Sequence, residues 1–317
     1  MVLDDFHAEF QVRQTDTQHP DWAYVRITNL SQETSNKVFQ QKNAPLYINA
    51  GYHQGPFGLI FEGGINQQRR GKLSGVDTYH DVLATTAGKA YTTGTVHKTI
   101  PKGSTYKDVL DAALEPFKQK GVKEGFIPQE VLNKQLKRGV TLNGMSKDII
   151  RWVAEQFDAS WTIFNNKFQM VQVSGSIPKV MDLTPETGLI GIPEQTLTGI
   201  VVRILINANV DVGQKVHISE DIVKRYLDIQ GKIGGVDVKG TTPVIPGVSK
   251  DGLYKVVRVD QDGSVHGQEW YTTLTCLAEG QEGVLGAGAP GNQPYKRAVT
   301  EEESAADGKG SGGGSAP

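Results

Sequence analysis

The chain is poor in the residues that build covalent or metal-clamped scaffolds. Across 317 residues there is a single cysteine, Cys276, so no disulfide can form within it and a four-cysteine zinc site is excluded. No run approaches the roughly 18 consecutive apolar residues of a membrane-spanning helix, so no stable membrane insertion is expected. The first residues, MVLDDFHAEF, have neither the positive start nor the apolar stretch of a secretory signal. Folding in a cytoplasm-like compartment is therefore expected. Excess positive charge is missing too. The formal charge of −2 and sequence pI of about 6.4 offer no basic face for gripping a nucleic-acid backbone, and the lysine-bearing run at 118–123 reads as a solvated helix end.

Catalytic signatures are equally scarce. None of the seven histidines falls at the i, i+4 spacing of an H-E-x-x-H zinc helix. No G-x-S-x-G elbow occurs, and "LSGVD" around Ser74 lacks the first glycine. Cys276 sits mid-strand on an apolar face, where a free cysteine acts as a small buried hydrophobe. "GAGAPG" at 286–291 spells G-x-G-x-x-G, yet Pro290 interrupts it and no strand-to-helix frame surrounds it, so it reads as linker. "DQDG" at 260–263 starts like a calcium loop but lacks the later ligands and the closing glutamate, and is expected to be a hairpin turn. We assign no catalytic, cofactor-binding or metal-ligating residue. No cofactor and no enzymatic activity are expected.

What the sequence does have is strand periodicity. Phe6, Ala8, Phe10 and Val12 alternate with His7, Glu9 and Gln11, and Trp22 to Thr28 repeats the pattern. A short helix fits Ser31 to Lys42, "PLYINAGY" at 45–52 is a strand, and "HQGPFG" supplies a turn through Gly55, Pro56 and Gly58 before "LIFEG". The middle changes period. Tyr106, Val109, Leu110, Ala113, Leu114 and Phe117 make one helical stripe with Ser104 as expected cap, and Pro116 stops or kinks it near its end. A second stripe runs through Met145, Ile149, Trp152, Val153 and Phe157, capped by Asn143 or Ser146. Next comes "SWTIFNNKFQMVQV". With Asn165-Asn166 as a two-residue turn, Ile163 faces Phe168 and Trp161 faces Met170.

From residue 183 the strands return. Ile200, Val202, Ile204 and Ile206 share one face of a strand, and Val201, Arg203 and Leu205 share the other. A strand apolar on both faces should be covered on both. Gly213 marks a turn before "KVHIS". "YKVVRV" at 254–259 and "EWYTTLTCLAE" at 269–279 read as a long hairpin with its tip at Asp262-Gly263, and Trp270, Thr272, Leu274 and Cys276 on one face. Beyond Gly280 the composition is that of a flexible tail. The expected organisation is mainly β with an α+β insertion: a first β region at 1–95, an inserted lobe at 96–182, a second β region at 183–280, and a tail at 281–317.

The block "LTPETGLIGIPEQTLTGIVVRILINANVDVGQKVHI" at 183–218 resembles a block of tailed-phage baseplate hub proteins. The shared pattern is a P-E-T-G-hydrophobic-hydrophobic-G-hydrophobic-P run, then T-x-x-G-I-x-V-R and a glycine turn. It is carried by Pro185, Glu186, Thr187, Gly188, Gly191, Pro193, Thr198, Gly199, Ile200, Val202, Arg203, Asn207 and Gly213. "FDASWTIFNNKFQMVQVSG" is similar to the tryptophan-bearing hairpin of that family, and "VRITNLS" followed by "LIFEGGI" is a weaker echo. The likeness spans roughly residues 20–280.

The resemblance implies two tail-tube-like antiparallel β-barrel domains plus a small helix and hairpin lobe. It implies a homotrimer at the tail tip, whose six barrels mate with a sixfold tail tube while the other side seats a trimeric spike. Other baseplate and tape-measure proteins would be neighbours, and phage DNA would pass through the lumen without specific binding. The location implied is the virion tail, with assembly in the host cytoplasm. The family supplies no catalytic residue to carry over. On this reading the outer face of the 200–206 strand, Val201, Arg203 and Leu205, is a candidate inter-subunit interface. A tail-tip cell-wall hydrolase and a glycan-binding module are the alternatives.

Overall fold

The computed structural model describes residues 2–3, 6–41, 44–52, 55, 57–195, 199–219 and 252–278. Pro56 of the expected turn, Thr198 of the hub-like block, the glycine-rich motif at 286–291 and the tail lie outside the described residues. The N-terminal region forms β1 (Ala8–Thr15), β2 (Trp22–Thr28), α1 (Gln32–Gln40), β3 (Pro45–Gly51), β4 (Phe57–Lys72) and β5 (Thr78–Thr85). The middle forms α2 (Gly88–Thr93), β6 (Thr95–Ile100), α3 (Tyr106–Lys118), β7 (Lys123–Glu124), α4 (Gln129–Asn133), β8 (Val140–Met145), α5 (Ser146–Glu155), β9 (Ala159–Phe164) and β10 (Lys167–Gln172). The last part forms β11 (Val180–Leu183), a 3₁₀ turn at Pro185–Thr187, β12 (Leu189–Gln195), β13 (Gly199–Leu205), β14 (Lys215–Ile218), β15 (Leu253–Ser264) and β16 (Trp270–Ala278). The protein is mainly β, and none of its described helices is long and apolar enough to cross a membrane.

The two β regions are joined in one sheet. Its order is β12-β13-β16-β15-β1-β2-β5-β4-β3, with β14 beside β15 and β11 beside β14. The seam is the antiparallel pair β1·β15, which runs from Glu9 opposite Ser264 to Thr15 opposite Arg258. Two long strands change partners along their length. β15 meets β14 over Leu253–Lys255 and β1 over Arg258–Ser264 on the same edge. β4 meets β3 through Gly64 and β5 beyond it, with register shifts at Ile48/Asn49 and Ile65/Gln67. Such bulges bend and twist a strand, so the handover from one partner to the next curves the sheet.

Three apolar clusters lie against this frame. One gathers Phe10, Val12, Val25, Ile60 and Phe61 from the N-terminal strands, together with Ile206 just after β13. A second gathers Ile200, Val202, Tyr254, Val256 and Leu274, and takes in Phe164 from the tip of the β9–β10 hairpin. The third is the lobe's own core, where Leu110, Leu114, Phe117, Ile150, Trp161 and Phe168 are almost wholly buried. Each such side chain contributes about 1.5–3 kcal/mol relative to exposure.

The lobe's hairpin has the expected register: Ile163 pairs with Phe168 and Trp161 with Met170. Asn165 and Asn166 hold φ of 45° and 54°, the left-handed pair that a type I′ turn requires. Pro116 lies inside α3, which ends two residues later at Lys118.

The caps differ from expectation. Thr105, not Ser104, caps α3. Its hydroxyl accepts from the Asp108 N–H at 3.3 Å while the Asp108 carboxylate accepts from the Thr105 N–H at 2.7 Å. This reciprocal box satisfies two donors at once, and the Ser104 carbonyl instead accepts from the Leu136 N–H. For α5 neither Asn143 nor Ser146 caps. Asn143 is paired in β8 opposite His97, and Ser146 is the first helical residue, its N–H donated to the Gly94 carbonyl.

The β15–β16 tip also moves. Asp262 and Gly263 are still paired within the last residues of β15, opposite Tyr271 and Trp270, and the turn closes beyond them through the Ser264 N–H to Glu269 carbonyl bond at 2.8 Å. Pairing with β1 on the other edge holds both residues extended. Gly263 is there for space: a Cβ would stand 2.3 Å from the Phe10 ring and 2.9 Å from the Trp270 ring. DQDG is therefore neither an ion loop nor a turn.

Candidate assembly surface

β13 lies between the edge strand β12 and β16. Its inward residues Ile200, Val202 and Ile204, and Ile206 just beyond it, are core, each 2% exposed or less. The outward residues are not covered within the chain. Val201 is half-buried, Arg203 is exposed and Leu205 is 45% exposed. The expectation that both faces are covered thus holds, within one chain, for the inner face only. The outer face continues onto β12, where Ile190 pairs with Arg203 and is itself exposed, as is Ile192. Clusters of exposed aliphatics rimmed by polar groups mark contact sites more often than isolated ones do.

Arg203 does not meet a carboxylate among the described residues. Its guanidinium lies over the Tyr271 ring, 4.4 Å from the centroid. That stacking leaves the planar donor fork free at its edges for a partner.

The same row runs on across the sheet. Arg203 stands opposite Thr273, Thr273 opposite Asp260, Asp260 opposite Arg13 and Arg13 opposite Trp22. Asp260 accepts a hydrogen bond from Arg13 at 2.8 Å and forms an ion pair with Arg258, N to O 2.6 Å. Arg13 lies 5.2 Å from the Trp22 ring centroid. Further along, Arg26 forms a fork with Asp81 at 2.8 and 3.0 Å and stacks near Tyr79. Burial alone pushes the Asp81 carboxyl up, but hydrogen bonds from Arg26 and Tyr24 and the charges of Arg26 and Arg69 hold it below its ordinary value. These groups are partly solvated, so each pair contributes modestly. Their effect is to pair each aspartate on this face with at least one arginine. At the β13 end the pattern breaks, because Arg203 has the aromatic partner and no acid.

Cys276 is wholly buried, and burial pushes its thiol far up, so it remains a thiol. His80 is buried and fixed by Ser35 and Gln68, both at 3.0 Å. Among the described residues no group of three or more histidine, cysteine or carboxylate side chains could hold a metal ion. Sequence reasoning placed Val201, Arg203 and Leu205 on one face correctly, but missed Ile190, Tyr271, Asp260 and Arg13 beside them. Their proximity depends on the β13·β16·β15·β1 order, which no local pattern encodes.

No protein-family model and no curated protein sequence matches the chain. Solved structures do. The chain is similar to a tail protein from Neisseria meningitidis, with 8% identity and a TM-score of 0.54 over 87% of this chain and 93% of that one. It is similar to a 43 kDa tail protein of prophage MuSo2 from Shewanella oneidensis, with 6% identity and a TM-score of 0.55 over 88% and 94%. A third likeness is to a type VI secretion system component from E. coli described as structurally similar to bacteriophage tail proteins, with 10% identity and a TM-score of 0.51 over 86% and 73%. At these identities the likeness is one of fold. The chain has the mainly β fold of phage tail proteins.

Proposed function

We propose that the chain is a structural protein of a phage-type tail: a homotrimeric baseplate hub joining a sixfold tail tube to a trimeric spike, with DNA passing through its lumen. One observation carries the reading. The fold likeness runs across 87% and 88% of this chain and 93% and 94% of two tail proteins, so it concerns the whole architecture rather than a shared module. The E. coli likeness supports a wider setting that includes tail-related secretion systems.

In this reading the two β regions act as two tube-like units, and three copies present six. The outer face of β13 is what a neighbouring copy covers, with Leu205 and Ile190 as its apolar part and Arg203 directed at a carboxylate across the interface. Permanent assemblies of this kind bury about 2,000–5,000 Å², which a single strand face cannot supply, so β13 is one part of a larger contact. Its neighbours are tail-tube, spike, baseplate and tape-measure proteins in the virion tail, assembled in the host cytoplasm. The role needs no enzymatic step and no cofactor.

The test is a charge placed on that face. Leu205→Asp, at a side chain exposed in the single chain, should leave the melting temperature unchanged. It should also remove the trimer from light-scattering profiles of the chain mixed with its tail-tube and spike neighbours. An undiminished trimer would move the contact off β13.

A further inference from the structure

Among the described residues β6 has a strand on one side only. It pairs with β8 from Thr95 opposite Met145 to Ile100 opposite Val140, and these two make a complete two-stranded sheet. Along its other side runs a cavity of about 600 Å³. One wall is the strand and the residue before it, through Gly94, Val96 and Lys98, and the other is α3 and the turn after it, through Ala112, Pro116 and Lys120. The helix positions are four apart, one row along a helix face.

Two features show that this wall is unfinished. Within β6, Val96 and Ile100 are buried, yet Lys98, in the same register between them, is exposed. The core-facing side of the strand is therefore roofed at its ends and open in the middle. In α3, Pro116 has no N–H, so the Ala112 carbonyl one turn earlier lacks its normal helical donor, and Ala112 lines the cavity. A strand edge with no second strand among the described residues thus faces a helix carrying a spare acceptor. An added strand satisfies both kinds of group, with main-chain bonds giving affinity and alternate side chains giving selectivity.

Charge indicates the kind of strand. Asp111 on the α3 wall is already neutralised, paired with Lys107 at 3.2 Å and Lys118 at 3.0 Å. Lys98 and Lys120 form no ion pair among the described residues, and Glu115 is the one unpaired carboxylate on the same lining. The uncompensated balance is positive. β6 has six residues, about 20 Å at the usual strand rise, which sets the length of chain it can pair.

We propose that the groove between β6 and α3 is a docking site for an extended, acidic peptide segment of a partner protein, which adds as a strand to the free edge of β6. The proposal does not rest on the tail reading: it follows from the lobe alone.

The probe is a displayed library of random linear peptides, selected on the intact chain and counter-selected on a Lys98→Glu/Lys120→Glu variant. Both lysines are outside the apolar core, so the variant should match the parent in melting temperature. Enriched peptides should be acidic and rich in β-branched residues. A synthetic copy should bind the variant at least tenfold more weakly and slow amide exchange at residues 95–100. N-methylation of alternate peptide nitrogens, which removes main-chain donors while keeping every side chain, should abolish that protection. Enrichment that is basic, indifferent to the two lysines, or protective only outside β6 would overturn the proposal, as would no enrichment over the variant. A second copy of this chain protecting the same residues, seen as concentration-dependent slowing without peptide, would replace the peptide with self-association and equally overturn it.

Discussion

The seam between the two β regions can be probed through one methyl group. Gly263 on β15 lies under the ring of Phe10, which reaches across from β1 and meets Trp270 of β16 edge-on at 5.5 Å. A methyl added there would stand 2.3 Å from the Phe10 ring edge and 2.9 Å from Trp270, well inside the 3.5–4.0 Å of ordinary carbon contact. The glycine has no left-handed φ, so backbone strain does not enter and the cost is one of space. Overpacking of this sort costs about 1–3 kcal/mol. Gly263→Ala should lose that much in urea unfolding followed by tryptophan fluorescence. Phe10→Leu withdraws the ring edge, so adding it to Gly263→Ala should cost less than it does alone, with a coupling of about 1–2 kcal/mol. Strictly additive losses, or a Gly263→Ala variant as stable as the parent, would refute the packing and with it the β1·β15 seam.

Three further outcomes are expected. Trp161 is 1% exposed, stacked on Tyr91 and packed against the tilted Phe168 ring, with its indole N–H unpartnered among the described residues. Trp161→Ala should cost about 3–5 kcal/mol and Trp161→Phe clearly less, since it also removes a buried donor; equal losses in thermal melts would contradict a core role.

Burial holds the Asp21 carboxyl well above its usual 3.8, against the single bond it accepts from the Thr15 N–H. The unfolded chain ionises there and the folded chain does not, so this site's stabilisation is complete below pH 3.8 and is lost as pH rises toward the folded value. The stability of Asp21→Asn relative to the parent should therefore grow as pH rises above 3.8, by up to about 1.4 kcal/mol per pH unit, until the folded carboxyl ionises, and a pH-independent difference would show that burial does not raise it. Arg203→Ala should keep the fold and weaken association, because its Tyr271 contact is exposed and contributes about 0.5–1 kcal/mol; matching losses of melting temperature and association would assign it a role within the chain.

Local signals were read where local chemistry decides. The Asn165-Asn166 turn and the pairing of Trp161 with Met170 were legible because two left-handed residues and period-2 alternation admit one register. Ser104 was misread because a threonine with an aspartate three residues on makes a better cap next door. Asp262-Gly263 was misread because glycine signals both a turn and a close approach, and only the packing of Phe10 and Trp270 distinguishes them. The continuity of the sheet was not legible at all. It depends on β1 and β15 meeting across some 250 residues of chain, a long-range pairing with no local mark. The outer face of β13 was legible as a set of residues but not as a surface, since its neighbours come from other strands.

Native mass spectrometry of the chain with its tail-tube and spike neighbours tests the central claim most directly. The account predicts a species holding three copies, three times the 34.5 kDa chain mass, which disappears with Leu205→Asp. A chain that stays monomeric in every mixture would contradict it.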